Sequence, residues 1–189
     1  VICGVFNAAN GNLTNESEEK REFYIGEQKY LLYPEQSKES ALVKLNSTDG
    51  SVMWSRYFTG TGNQEVLKVQ AVSGSNAVAV TGKANNQIIV EGSAGLSTET
   101  VTHVSGADHL FVISVDVDGK LLWSKSASGD TSSEGKEISS DDLGNIYVSG
   151  YFNGSLNWGD NIVLQKTGSN EKEGFFAKLN GSGKCLYAE

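Results

Sequence analysis

The chain has 189 residues, 38% of them hydrophobic, which is enough apolar volume for a packed core and too much for a disordered chain. Fifteen Lys and Arg against 23 Asp and Glu leave a net charge of −8, which opposes association with phosphate backbones and anionic lipid. Nucleic-acid and membrane-surface partners are therefore excluded, and no apolar run approaches the roughly 18 to 20 residues of a membrane-spanning helix.

Gly at 22 residues with a single Pro, plus three Trp, seven Tyr and seven Phe, favours short strands separated by turns, and no stretch carries apolar residues at helical spacing. An all-β fold is expected. The chain opens on the strand-like run VICGVF, from Val1 and without a charged leader, which reads as a cut inside a longer protein, and the far end reads the same way. Residues 8–39 form a long charged insert holding Tyr30 and Tyr33. The segment ALVKLNSTDGSVMWSRYFTG (41–60) then has the form of a hairpin, and NAVAVTG (76–82) that of a further strand.

A second insert, 83–109, carries His103 and His109. The hairpin returns as LFVISVDVDGKLLWSKSASG (110–129), turning at Asp118-Gly119. Next comes GKEISSDDLGNIYVSGYF (135–152), turning at Leu143-Gly144-Asn145, with the Gly, Asp and Asn chemistry that tight turns demand. A third insert, 153–174, contains Trp158 and a short strand read at 161–167. The chain closes on FFAKLNGSGKCLYAE (175–189), the hairpin again in shortened form.

The repetition decides the architecture. Trp54, Trp123 and Tyr187 occupy one place in the pattern, 69 and 64 residues apart, and Gly4, Gly82 and Gly150 mark a second place in the same order. Each unit holds four strands, in chain order A (136–140), B (145–152), C (110–116 or 175–180) and D (120–126 or 184–188). A four-stranded sheet cannot bury both faces alone, and radial stacking gives a β-propeller with short, protected edges. The fold expected is a partial β-propeller of four-stranded antiparallel blades with a repeat of about 65–70 residues. Its divisions are 1–58 (strands B to D), 59–126 and 127–189, eleven blade strands or roughly two and three-quarter blades. Too few to close a ring, they need further blades or other copies of the chain.

At the hairpin ending DGKLLWSKS, at SSDDLGNIYVSGYFNG and at LNWGDNIVLQKTGSNEKEGFFAKLN (156–180), the sequence resembles the SBBP family, a seven-bladed β-propeller repeat of bacterial secreted and surface proteins. The resemblance covers nearly the whole chain. It implies a propeller, extracytoplasmic placement and no shared catalytic residue.

Sites of known chemistry fare poorly. LNSTDGSVMW is similar to the repeats of quinone-dependent propeller enzymes, but no cluster of polar and metal-binding groups accompanies it, so no cofactor is expected. The spacing of Asp116, Gly119 and Trp123 does not fit the Asp box of sialidases, and Arg21 and Arg56 are the only arginines. Asp116, Asp118 and Asp142 offer oxygen ligands near turns, but the EF-hand pattern is absent and plain turns are favoured. The two histidines lack Cys partners at zinc-site spacing, so no metal is expected. GxSxG is absent, and no catalytic residue is assigned. Cys3 and Cys185 read as two small buried residues in preference to a disulfide.

The functional expectation is a non-catalytic scaffold or binding module for protein or glycan at the cell surface, with Tyr30, Tyr33 and Trp158 as the insert aromatics that would make contact, or pack as anchors. The alternative is part of a propeller enzyme acting on glycans, with its centre mostly outside this sequence.

Overall fold

The structure, a computed structural model, describes residues 2–8, 21–25, 27–32, 39–60, 62–93, 95–101, 106–129, 131–168 and 171–189. Its strands run β1 (Ile2–Ala8), β2 (Arg21–Ile25), β3 (Gln28–Leu32), β4 (Glu39–Leu45) and β5 (Val52–Thr59), then β6 (Gln64–Val72), β7 (Ala77–Ala84), β8 (Ile88–Gly92) and β9 (Glu99–Val101). They continue as β10 (His109–Asp116), β11 (Leu121–Ser126), β12 (Ser133–Ser140), β13 (Ile146–Phe152), β14 (Ser155–Gly159), β15 (Ile162–Gln165), β16 (Glu173–Leu179) and β17 (Cys185–Ala188). Among the described residues there is no helix.

Three antiparallel sheets hold most of these strands. The second is ordered β6-β7-β10-β11 and the third β12-β13-β16-β17, each a meander of the four expected strands A to D. The first is ordered β1-β4-β5-β8-β9, and β2–β3 and β14–β15 are two-stranded ribbons.

Register shows how closely the units repeat. Trp54 faces Lys44, Trp123 faces Ser114 and Tyr187 faces Lys178, and in all three hairpins the ladder slips by one residue immediately afterwards. The residue extruded by that bulge is Met53, Leu122 or Leu186, each about half exposed. The A–B hairpins repeat as strictly. Val66 pairs with Gly82 and Gly135 with Gly150, and in each case the next pair skips a residue on the A strand. A Cβ on Gly82 would lie 1.9 Å from the Glu65 carbonyl oxygen, and one on Gly150 would lie 1.9 Å from that of Glu134. The bulge drives a carbonyl into the space a side chain would need, which is why these two markers are glycines.

The sheets stack face to face over two cores. Leu42, Phe58, Val66, Val80, Phe111 and Ile113 belong to the core between the first and second sheets, and Val72, Leu110, Val112, Val148, Phe175 and Leu179 to that between the second and third. Alternate residues of β10 thus enter different cores, so His109–Asp116 reads as a nearly continuous apolar run. Burying each Leu, Ile, Val or Phe side chain contributes about 1.5–3 kcal/mol.

Two of the inserts, 83–109 and 153–174, share a job that their sequences do not announce. Strand β8 pairs with β5 and β9 with β8, so residues of the 83–109 insert extend the preceding sheet beyond its D strand. Likewise Ser128, just past β11, bridges to Asn157 of β14 in the next insert. The expected strand at 161–167 is found as β15, and β14 is an additional one. These two inserts shield the outer edge of the sheet before them, where unpaired backbone would otherwise invite foreign strands.

Candidate functional site

The repeated contact between sheets centres on the C–D turn. Asp116 starts one such turn, its Oδ1 accepting from the amides of Asp118 and Lys120, and Asn180 does the same for Ser182 and Lys184. These side-chain turns let Gly119 and Gly183 adopt positive φ, at 83° and 81°. The indole of Trp54 lies on Gly119, with Cδ2 only 2.8 Å from where a Cβ would be, and that of Trp123 lies on Gly183, with Cε3 at 2.6 Å. Each indole also donates Nε1–H to a turn carbonyl, Trp54 to Val117 at 2.8 Å and Trp123 to Gly181 at 2.9 Å. The two interfaces therefore use one contact at corresponding positions.

They differ at the residue opposite each indole. Lys44, buried beside Trp54, sends Nζ to the same Val117 carbonyl. In the next repeat its register position is held by Ser114, whose side chain is far shorter, and a cavity of about 380 Å³ opens there. Val72, Ala77, Leu122, Leu143 and Ile146 give it an apolar wall. Its size falls within the range of small-ligand sites. The nearby carboxylates are already engaged, Asp116 by its turn amides and Asp142 by the Ser73 hydroxyl at 2.7 Å. Adjoining them, Asp141 is held at a pKa of about 2 by the Asn145 side chain first, with the Asn145 and Leu143 amides and the Tyr147 hydroxyl adding to it. With its carboxylates already held, this cavity suits an apolar group.

The opposite end of the second interface is charged. Lys83 reaches Asp108 at 3.1 Å, Glu65 at 3.6 Å and Glu134 at 4.0 Å, joining the second and third sheets. Burial works to lower the Lys83 pKa, but its bond to Asp108 and the other two carboxylates prevail, and it is raised overall. His109 beside it is driven the other way by burial, against the pull of Asp108. The cleft there has a volume of only about 70 Å³, enough for a few waters, and Lys83, Asp108 and Glu134 in its wall pair with one another.

Of the expected contact aromatics, Trp158 is 1% exposed and lies edge-on to Phe175 with ring centroids 5.5 Å apart. It is a packing anchor of the second core and offers no ring to a ligand. Tyr30 is on β3, opposite Phe23, and Tyr33 lies outside the described residues. Among the described residues, Tyr24 on β2 is an insert aromatic 61% exposed, readable as an insert tyrosine but not as an outward one. Gly4, expected at the place of Gly82 and Gly150, is two residues out of register. Those two face Phe111 and Phe175, whereas in β1 Phe6 faces the corresponding Ala41 and Gly4 pairs with Val43, because the sequence match aligns the glycines and not the strand pairing. Cys185 is a free, buried thiol whose pKa burial raises, and His103 lies outside the described residues. Among the described residues no group of three or more His, Cys, Asp or Glu is arranged to hold a metal ion. Compared with protein-family models and with curated proteins, the chain matches none.

Proposed function

We propose that the chain is a non-catalytic run of roughly two and three-quarter blades of a β-propeller, serving as scaffold or binding module for protein or glycan in a secreted or cell-surface protein. The observation that carries this reading is the indole laid on a turn glycine, Trp54 on Gly119 and Trp123 on Gly183. One contact repeated at corresponding positions supports one rotation repeated between sheets, and such a rotation of four-stranded sheets would generate a propeller. The resemblance to SBBP repeats agrees with it and supplies the extracytoplasmic setting.

Binding then falls to the inserts, which ride on rigid sheets and differ from one another in length and composition. Among the described residues, Tyr24 and Val163 are large exposed side chains on them. The test is capture of bacterial surface proteins and of arrayed glycans by the chain, comparing wild type with a Tyr24→Ala, Val163→Asp variant. Capture weakened by about tenfold in the variant, with every arrayed glycan recovered intact, is expected. Release of a cleaved product from any glycan would contradict the non-catalytic reading.

A further inference from the structure

The two interfaces between sheets satisfy one turn carbonyl in two ways. In the first, Lys44, opposite Trp54, donates Nζ–H to the Val117 carbonyl, which also accepts from the Trp54 indole. In the second, Gly181 presents the corresponding carbonyl and accepts from the Trp123 indole. Gly181 and Ser114, the latter at the register of Lys44, both line the cavity of about 380 Å³. A carbonyl has two lone pairs, and that of Val117 serves an indole and an ammonium together.

A charge changes along with that side chain. The C–D turns start at Asn46, Asp116 and Asn180, and each of these accepts through its own carbonyl from the turn glycine. Each also accepts turn amides through its side-chain Oδ1. Asparagine therefore suffices for this turn, yet the residue that lines the cavity is an aspartate. The turn amides leave its negative charge in place, beside the apolar wall of Val72, Leu122, Leu143 and Ile146. Where the chain gives up its own ammonium, it gains a carboxylate.

We propose that this cavity binds a small free primary amine with an aliphatic body, its ammonium donating to the Gly181 carbonyl near Asp116 and its carbon chain lying along Leu122, Leu143 and Ile146. Such a ligand supplies from solution what Lys44 supplies from within the chain. The net charge of −8 favours approach of a cation. The volume falls in the range of small-ligand sites and exceeds that of a lysine side chain, so a free amine with a larger body fits better than a lysine of another protein. Leu122 and Leu143 are exposed, which places the mouth of the cavity at the surface. The site needs only the packing of the second sheet on the third, and it takes a ligand class distinct from protein or glycan.

Titration of the whole chain with n-hexylammonium, followed through the indole N–H resonance of Trp123, tests it. Saturable binding is expected, moving that resonance and leaving that of Trp54, whose acceptor carbonyl already takes Lys44. Uncharged 1-hexanol, of the same chain length, is expected to bind at least about tenfold more weakly. Asp116→Asn keeps the turn as Asn46 and Asn180 do, and is expected to weaken hexylammonium binding by about tenfold with little change in melting temperature. Ser114→Lys places the side chain of the first interface in the cavity and is expected to abolish binding, thermal melting showing whether that variant keeps its fold. Absence of saturable binding, hexanol binding as tightly as hexylammonium, or binding undiminished in Asp116→Asn overturns the proposal. An acetyl-lysine amide binding more tightly than hexylammonium overturns it too, and assigns the cavity to a lysine of a partner protein.

Discussion

A methyl group has no room at Gly82 or Gly150, because in each case a bulge on the neighbouring strand has brought a backbone carbonyl to 1.9 Å from the Cβ position. Neither atom is the end of a flexible side chain. Alanine at either position is expected to cost about 2–4 kcal/mol in urea unfolding, whereas Gly174→Ala, with its nearest atom at 3.9 Å, stays within about 1 kcal/mol. The recurrence of these glycines is plain in the sequence. Its cause is not, since the bulge sits on the partner strand.

Glu39 makes a second test at this scale. It is buried and accepts from the Tyr57 hydroxyl. Burial raises its pKa above the ordinary 4.5, the Tyr57 bond opposes that, and Glu91 adds to it. Because the folded pKa is the higher one, this carboxyl's contribution to stability is complete below its unfolded value and is lost as pH rises through the folded value. Glu39→Gln keeps an acceptor for Tyr57 and removes the charge. Its melting temperature is expected to exceed wild type near pH 7 and to converge with it below about pH 4. A variant less stable than wild type near pH 7 would contradict this assignment.

Among the elements, the C–D hairpins were the most legible, since alternation runs into an Asp-Gly or Ser-Gly turn each time. Structure adds that their glycines are not equivalent in what they tolerate. Gly50 and Gly119 both have positive φ, which alone costs alanine about 1–2 kcal/mol. At Gly119 the new methyl also meets Trp54, so Gly119→Ala is expected to be the more destabilising by about 2 kcal/mol in denaturant titrations. Equal losses at the two sites would mean that the indole does not rest on the turn. The inserts were the least legible elements. Strand β8 pairs with β5 of the preceding repeat and carries β9 with it, and Asn157 of β14 bridges back to Ser128 just past β11; such pairing leaves no local signature. For the same reason Trp158 could not be read as inward, because one residue of register moves a strand side chain from core to surface.

Across the whole molecule, spacing alone revealed that one unit recurs, because Trp54, Trp123 and Tyr187 return with their turns. The way neighbouring sheets meet has no such trace. It follows from side chains such as Lys44, Arg56 and Trp54 that reach into the next sheet, with Arg56 donating Nε–H to the Gly119 carbonyl. The most direct test is the set of three pulsed electron-spin distances among labels at Met53, Leu122 and Leu186, the exposed residues extruded by the same bulge. Cys3→Ser and Cys185→Ala supply the background. A repeated rotation predicts equal distances for 53 to 122 and 122 to 186, and a 53 to 186 distance shorter than their sum. Unequal neighbour distances, or a 53 to 186 distance equal to that sum, would contradict a propeller.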